Sequence, residues 1–228
     1  MVYSSNTQLS FIIAENPSVL SLLNRLGIFL GVGNSSVNQS AIDHDIDPDF
    51  LLVMINTYLN HDYFPEKEFV KFPINGICDY LIRANRFYID VQLPNVARHF
   101  RHLVTTSDSV DNNLNKLFEY FLTMEKRFHL ELDKYNSLLN KVVNRDPDLV
   151  GKSYNTLIFL VKENIYPLVE SLNDLINLFI IHLKGNCDPN LCHAVINALI
   201  TLSDDMKQNN RIHDRILSPS LLSLAEND

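Results

Sequence analysis

Glycine is scarce in this chain, at six residues in 228, and no Asn-Gly or similar hairpin dipeptide stands between two alternating runs. Hairpins need such residues for their positive-φ turns, so the absence argues against a β protein. Cysteine is limited to Cys78, Cys187 and Cys192, an odd number with no Cys-x-x-Cys pair. Such a set makes no disulfide framework and reads as reduced thiols in a reducing compartment. Excess positive charge is missing too: 19 Lys and Arg stand against 27 Asp and Glu, a net charge of −8. Nucleic-acid binding draws on a basic surface that displaces counterions, and before Lys67 the only Lys or Arg is Arg25. The opening residues carry no basic stretch followed by an apolar run, so no signal peptide is expected. No apolar run approaches the roughly 20 residues of a membrane span. A soluble, cytoplasmic protein is expected.

The chain is rich in helical signals. With 46% hydrophobic and 20% charged residues it has the composition of a globular core. Asn16-Pro17 reads as a cap with proline at the first helical position, ahead of VLSLLNRLGI. Gly31 and Gly33 then break the chain. Asp47-Pro48 repeats the cap-and-proline signature before DFLLVMINTYLN. Residues 1–62 thus read as a small module of short helices, and 63–73, with two prolines and mixed charge, as a linker.

Four longer segments with helical period follow in residues 74–228. The first stripe is Ile77, Leu81, Ala84, Asn85, Tyr88 and Val91 or Gln92. The second is Leu114, Leu117, Phe121, Met124, Phe128, Glu131, Tyr135 and Leu138. The third is Leu157, Val161, Ile165, Leu168, Leu172, Leu175 and Phe179, and the fourth Val195, Leu199, Leu202, Met206, Asn209, His213 and Ile216. The connections between them, 105–109, 145–152 and 185–189, are short enough for an all-α, up-down-up-down four-helix bundle. Pro94 and Pro167 fall inside the first and third segments and are expected to kink them.

Asn85, Glu131, Asn209 and His213 occupy positions where these stripes call for apolar residues, and Arg127 borders one of them. Arg127/Glu131 and Asn209/His213 are each four apart, so each pair shares a helix face. The plain reading is a hydrogen-bonded polar layer with an Arg127–Glu131 ion pair; the sharper one is a metal site built from facing helices. His129 and Asp133 share the four-residue spacing but turn away from the apolar stripe. His99 and His102, among Arg98 and Arg101, suit a helix C-terminus. Cys187 and Cys192 with His182 and His193 form a loose zinc-like cluster, around Asp188-Pro189, which restarts a helix. No nucleophile motif, phosphate loop or dinucleotide fingerprint is present.

The stretches NPSVLSLLNRLGIFLGVGNSSVNQSAIDHDIDPDFLLVMIN, ICDYLIRANRFYIDVQLPNV and DDMKQNNRIHDRILSPSL together resemble the bacterial iron-centre repair family of hemerythrin-like proteins. The resemblance implies a small N-terminal domain, here residues 1–62, and a hemerythrin-like bundle, here 74–228. The family holds two irons with one histidine from the first helix, His-x-x-x-Glu from the second, one histidine from the third and His-x-x-x-Glu from the fourth. Position by position these fall on Asn85, on Arg127 and Glu131, on Ile165 (or Asn164 in the other register), and on Asn209 and His213. The family's N-terminal cysteine pair falls on Leu30-Gly31 or Gly31-Val32. Only Glu131 and His213 keep a side chain that ligates iron. The resemblance therefore implies a non-catalytic protein without a cofactor, working through a protein partner as a regulatory or sensor relative, with a homodimer left open. The alternative is a metal protein with an altered ligand set, still binding iron, in iron-sulfur repair or a stress response.

Overall fold

A computed structural model describes residues 1–65, 72–107, 113–144, 154–184 and 187–225; of these, the side chains of 154–161, 164, 224 and 225 are not described. Residues 66–71 of the expected linker, all of the expected connection 145–152 and parts of the other two connections lie outside the described residues. The protein is all-α: the described residues contain no strand beyond an isolated bridge between Gln8 and Ser36. The helices are α1 Leu9–Glu15, α2 Val19–Arg25, α3 Val37–Asp43, α4 Pro48–Leu59, α5 Ile74–Phe87, α6 Leu93–Thr106, α7 Leu114–Val143, α8 Tyr154–His182, α9 Pro189–Ile212 and α10 Ser218–Ala225. Wide π-helical turns, Tyr88–Gln92 and His213–Leu217, precede α6 and α10. Among the described residues no helix is long and apolar enough to cross a membrane.

These elements belong to two compact units. The first is Met1–Ala84, Lys141–Asn155 and Gln208–Asp228; the second is Asn85–Asn140 and Thr156–Lys207.

In the first unit, the cap signatures act as local chemistry dictates, with one exception. Asp47 accepts the amide of Phe50 at 2.8 Å and Pro48 opens α4. The Ser36 hydroxyl caps α3 through Gln39. Asn16, expected as a cap, instead donates its side-chain amide to the Tyr3 hydroxyl at 2.7 Å, and α2 begins only at Val19. Between Tyr3 and α4 the buried Asn56 makes two bonds: its Oδ1 accepts from the Tyr3 amide at 2.7 Å, and its Nδ2 donates to the Tyr3 carbonyl at 3.0 Å. One neutral side chain thus satisfies both backbone groups of a buried residue.

Helix C-termini, which leave carbonyls unbonded, are finished in two ways. At the end of α2, Gly27 takes φ 86° while Ile28 N–H reaches Leu23 O and Gly27 N–H reaches Asn24 O, a Schellman turn. At the end of α3 the same turn is made by Asp45 at φ 55°, with Ile46 N–H on Ala41 O and Asp45 N–H on Ile42 O. Arginines from later in the chain add to this. Arg83 donates to the Arg25 carbonyl at 3.0 Å. Arg211 donates to the carbonyls of Thr57 (3.1 Å) and Tyr58. Arg215 takes those of Asn60, His61 and Tyr63 and stacks over the Phe64 ring at 4.1 Å. Cations at the carbonyl end of a helix also meet the negative pole of its dipole. Half-burial lowers the Arg211 pKa, first by desolvation and then through the neighbouring Arg215 charge.

Both wide turns sit at the same distance from a proline. Leu93 N–H bonds Tyr88 O and Ser218 N–H bonds His213 O, each five residues back, and Pro94 and Pro219 come next. Proline has no N–H for the carbonyl four residues back and its ring crowds that turn. Widening the helix by one residue gives the chain room for the ring, so Pro94 follows directly on a π turn, in the first turn of α6. The extra residue also moves the inward stripe: Val91 is 49% exposed and Leu93 is buried.

The second unit centres on Phe100 of α6, whose ring lies 5.2 Å from Phe118, 5.9 Å from Phe121 and 5.6 Å from Phe179. Asn113, ahead of α7, donates to the His182 carbonyl and accepts from the Lys184 amide, holding the end of α8. Ser203 on α9 donates to Asn173 on α8 at 2.9 Å.

Replacing Arg215 by methionine leaves several carbonyls without their charged donor and is expected to lower stability by about 2–3 kcal/mol. Asp45→Gly relieves a left-handed residue at a helix end and is expected to raise stability by about 0.5–1 kcal/mol. Urea unfolding followed by circular dichroism checks both, and opposite signs are required.

Candidate functional site

The positions matched to the family ligands separate into the two units: Asn85, Arg127, Glu131 and Ile165 in the second, Asn209 and His213 in the first. Asn85, near the end of α5, is 5% exposed and donates its Nδ2 to Asn136 Oδ1 on α7 at 2.8 Å. Ile165 is buried on α8. The Asn164 side chain, the other register, is outside the described residues.

The second helix departs from the expected stripe. Buried positions run Phe128, Leu132, Tyr135, Leu139, so Glu131 and Leu138 give way to their neighbours. The period of 3.6 permits a step of three or four after Phe128, and the step of four puts the larger apolar residue inside. Glu131 consequently lies at the edge of the face and pairs with Lys134 at 3.2 Å, a three-residue spacing on the same helix. Arg127 is exposed. The expected inward Arg127–Glu131 pair is thus corrected: the carboxylate at the rim has a lysine beside it, and the guanidinium is in solvent.

In the first unit Asn209 is buried on α9 and its Oδ1 accepts from the Tyr80 hydroxyl on α5 at 2.7 Å. His213 opens the second wide turn, 2% exposed, with Nδ1 3.3 Å from the Asp214 carboxylate. The whole fourth stripe, Val195 to Ile216, is buried as expected.

Of the residues set aside in the sequence, His99 and His102 lie on α6 ahead of its last turn, which holds no basic residue, so they do not serve its C-terminus as expected; His99 is half-buried. His129 is half-buried and Asp133 exposed. His102, Arg98 and Arg101 are exposed, with Arg101 5.9 Å from the Phe118 ring. His182 and His193 are both exposed, while Cys187 and Cys192 are half-buried. Among the described residues no group of three or more His, Cys, Asp and Glu is placed to hold a metal ion.

Three features were not foreseen. Asp205 is a carboxylate only 4% exposed; its three-residue step from Leu202 could have placed it on the inner face. Arg25 is buried at the end of α2. A cavity of about 270 Å³ lies beside it, with Arg25, Arg83, Asp45, Asp47, Asp79 and Tyr80 among its lining. Charges of both signs come there from segments distant in sequence, so no local motif marks it.

The donor chemistry of the six matched positions does not fit a pair of irons. At the four positions that the resemblance matches to imidazoles stand two amides, Asn85 bonded to Asn136 and Asn209 to Tyr80, a guanidinium and an isoleucine, whereas iron of this kind wants several imidazoles and carboxylates together. No protein-family model matches the chain, and the comparison with curated proteins gives no match. The class defined by fold and site is an all-α protein with buried, hydrogen-bonded amides in both compact units.

Tyr80→Phe removes the hydroxyl that bonds Asn209 and is expected to cost about 1–2 kcal/mol. Arg127→Ala touches only an exposed side chain and should stay within about 0.5 kcal/mol of the parent. Thermal and chemical unfolding of the two variants measures the contrast; a larger loss for Arg127→Ala would put the guanidinium back inside.

Proposed function

We propose that this chain is a hemerythrin-like relative of the iron-centre repair family in which side-chain hydrogen bonds have replaced the di-iron site, and that it works by binding another protein rather than by catalysis. In this reading residues 74–228 correspond to the family's four-helix bundle and residues 1–62 to its N-terminal domain. Its place is the cytoplasm, as a regulatory or sensor protein. One observation carries the interaction reading. The loop matched to the family's cysteine pair instead presents Phe29 and Leu30, 67% and 70% exposed. Gly27, Gly31 and Gly33 at positive φ shape the loop around them. Adjacent solvated side chains of that size suit burial against a partner, where aromatic anchors dominate binding energy. The ligand-matched positions support the metal-free half of the reading, since Asn85, Asn209 and Glu131 are each engaged with Asn136, Tyr80 and Lys134.

Two measurements test it. Protein purified from iron-supplemented cells is expected to carry iron far below one equivalent per chain; iron near two per chain overturns the metal-free reading. In a quantitative pull-down from the native host, Phe29→Ser/Leu30→Ser is expected to bind the partner at least about tenfold more weakly, with an unchanged circular dichroism spectrum. Equal recovery by both forms removes the loop from the interaction.

A further inference from the structure

The start of α9 brings two of the three cysteines together. Asp188 is the cap: its Oδ1 accepts from the amides of Asn190 at 2.7 Å and Leu191 at 3.2 Å, and its carbonyl takes the amide of Cys192 at 3.0 Å. Pro189 is the first helical residue. Cys187 therefore stands immediately before the cap and Cys192 in the fourth helical position. These are the two places whose side chains meet across a helix N-terminus, usually as an apolar staple. Here both carry thiols, which share a hydrogen bond. Neither is in a disulfide, and both are half-buried, hence reachable by a small solute. Cys78, by contrast, is fully buried, and burial pushes its thiol up to about 12.

We propose that Cys187 and Cys192 are an oxidation site, a thiol pair that a hydroperoxide closes reversibly to an intramolecular disulfide. The two sulfurs have different parts. Burial, then the adjacent Cys187 sulfur and the Asp188 carboxylate, push the Cys192 thiol up to about 11, so it keeps its proton near neutral pH. Attack comes from the Cys187 thiolate on a peroxide oxygen. The O–O bond breaks, Cys187 becomes a sulfenic acid, and the departing hydroxide takes a proton to leave as water. The Cys192 sulfur then attacks the Cys187 sulfur. The S–O bond breaks, a second hydroxide leaves with the Cys192 proton as water, and the S–S bond forms. Two thiols give up two electrons and two protons, and one hydrogen peroxide becomes two waters. A thiol reductant reverses the closure by exchange. The ring closes around the Asp188 cap, so oxidation acts on the first turn of α9.

The full chain contains its own control. Cys187 and Cys192 lie in one tryptic peptide, between Lys184 and Lys207, and Cys78 lies in another. After brief exposure of the reduced protein to hydrogen peroxide, denaturation and alkylation, that peptide is expected lighter by two hydrogens and unalkylated. Dithiothreitol should restore two alkylation sites, with Cys78 alkylated throughout. In Cys192→Ser, Cys187 should be trapped by dimedone as a sulfenic acid. In Cys187→Ser the internal disulfide should be lost, with Cys192 oxidising more slowly than Cys187 does in Cys192→Ser. Both variants place a small side chain at a half-buried position, and a circular dichroism spectrum matching the parent confirms folding. Overturning results are sulfinic or sulfonic acids on both cysteines of the parent without the internal disulfide, or disulfide-linked dimers in its place.

Discussion

A helix ends in carbonyls that its own amides cannot reach, and the first unit is organised by the groups that reach them. α2 and α3 close with local turns, Gly27 and Asp45 taking the left-handed conformation. Arg83 adds a donor to α2 from 58 residues away. The carbonyls at and beyond the end of α4 accept from Arg211 and Arg215, over separations of 152 to 155 residues. The entropic cost of closing so long a loop grows only slowly with its length, and charged donors on carbonyls are among the stronger hydrogen bonds available. The short N-terminal helices, too small to bury a core of their own, are thereby fixed to the last helical segments of the chain. Arg211 and Arg215 are four apart, so one helix face delivers both. The like charges oppose each other, and the row of carbonyls beneath them offsets that repulsion.

The wide turns connect proline chemistry to the placement of the polar residues. Each inserts one residue ahead of Pro94 or Pro219, and each rotates the following helix face by that residue. After the first, the inward position is Leu93 in place of the expected Val91 or Gln92. The second begins at His213, which keeps the imidazole on the buried face while Asp214 and Arg215 turn outward to the Asp214–His213 contact and the carbonyls around His61.

Features set by neighbouring residues were legible in the sequence. The Asp47-Pro48 cap, the restart at Asp188-Pro189 and the fourth stripe from Val195 to Ile216 are local signals, and the structure contains them. All-helical character followed from the scarcity of turn glycine and the 3.6-residue period. The second stripe was read one residue off at Glu131 because period alone does not choose between a step of three and a step of four; competition between Glu131 and Leu132 for the interior does. Asn16 failed as a cap because the Tyr3 hydroxyl, distant in no obvious pattern, takes its amide. The roles of Arg211 and Arg215 at the end of α4 were invisible for a related reason: their acceptors are backbone carbonyls, which have no side-chain signature.

The same distinction explains what stands at the ligand-matched positions. An ion pair inside a helical core costs desolvation of two charges, often more than their attraction returns. At the inward amide positions the structure uses neutral groups. Asn85 meets Asn136, Asn209 meets Tyr80, and Asn56 meets the backbone of Tyr3, in each instance one amide filling a donor or acceptor vacancy at no cost in charge. An amide is both donor and acceptor, so a partner is easy to find within one unit and no ion is needed to balance it. The charged residues of the same helix, Arg127 and Glu131, move instead to solvent and to the rim beside Lys134. Charge is still present in the interior, at Asp205 and Arg25, but at Asn85 and Asn209 the buried hydrogen bonds are made by neutral amides.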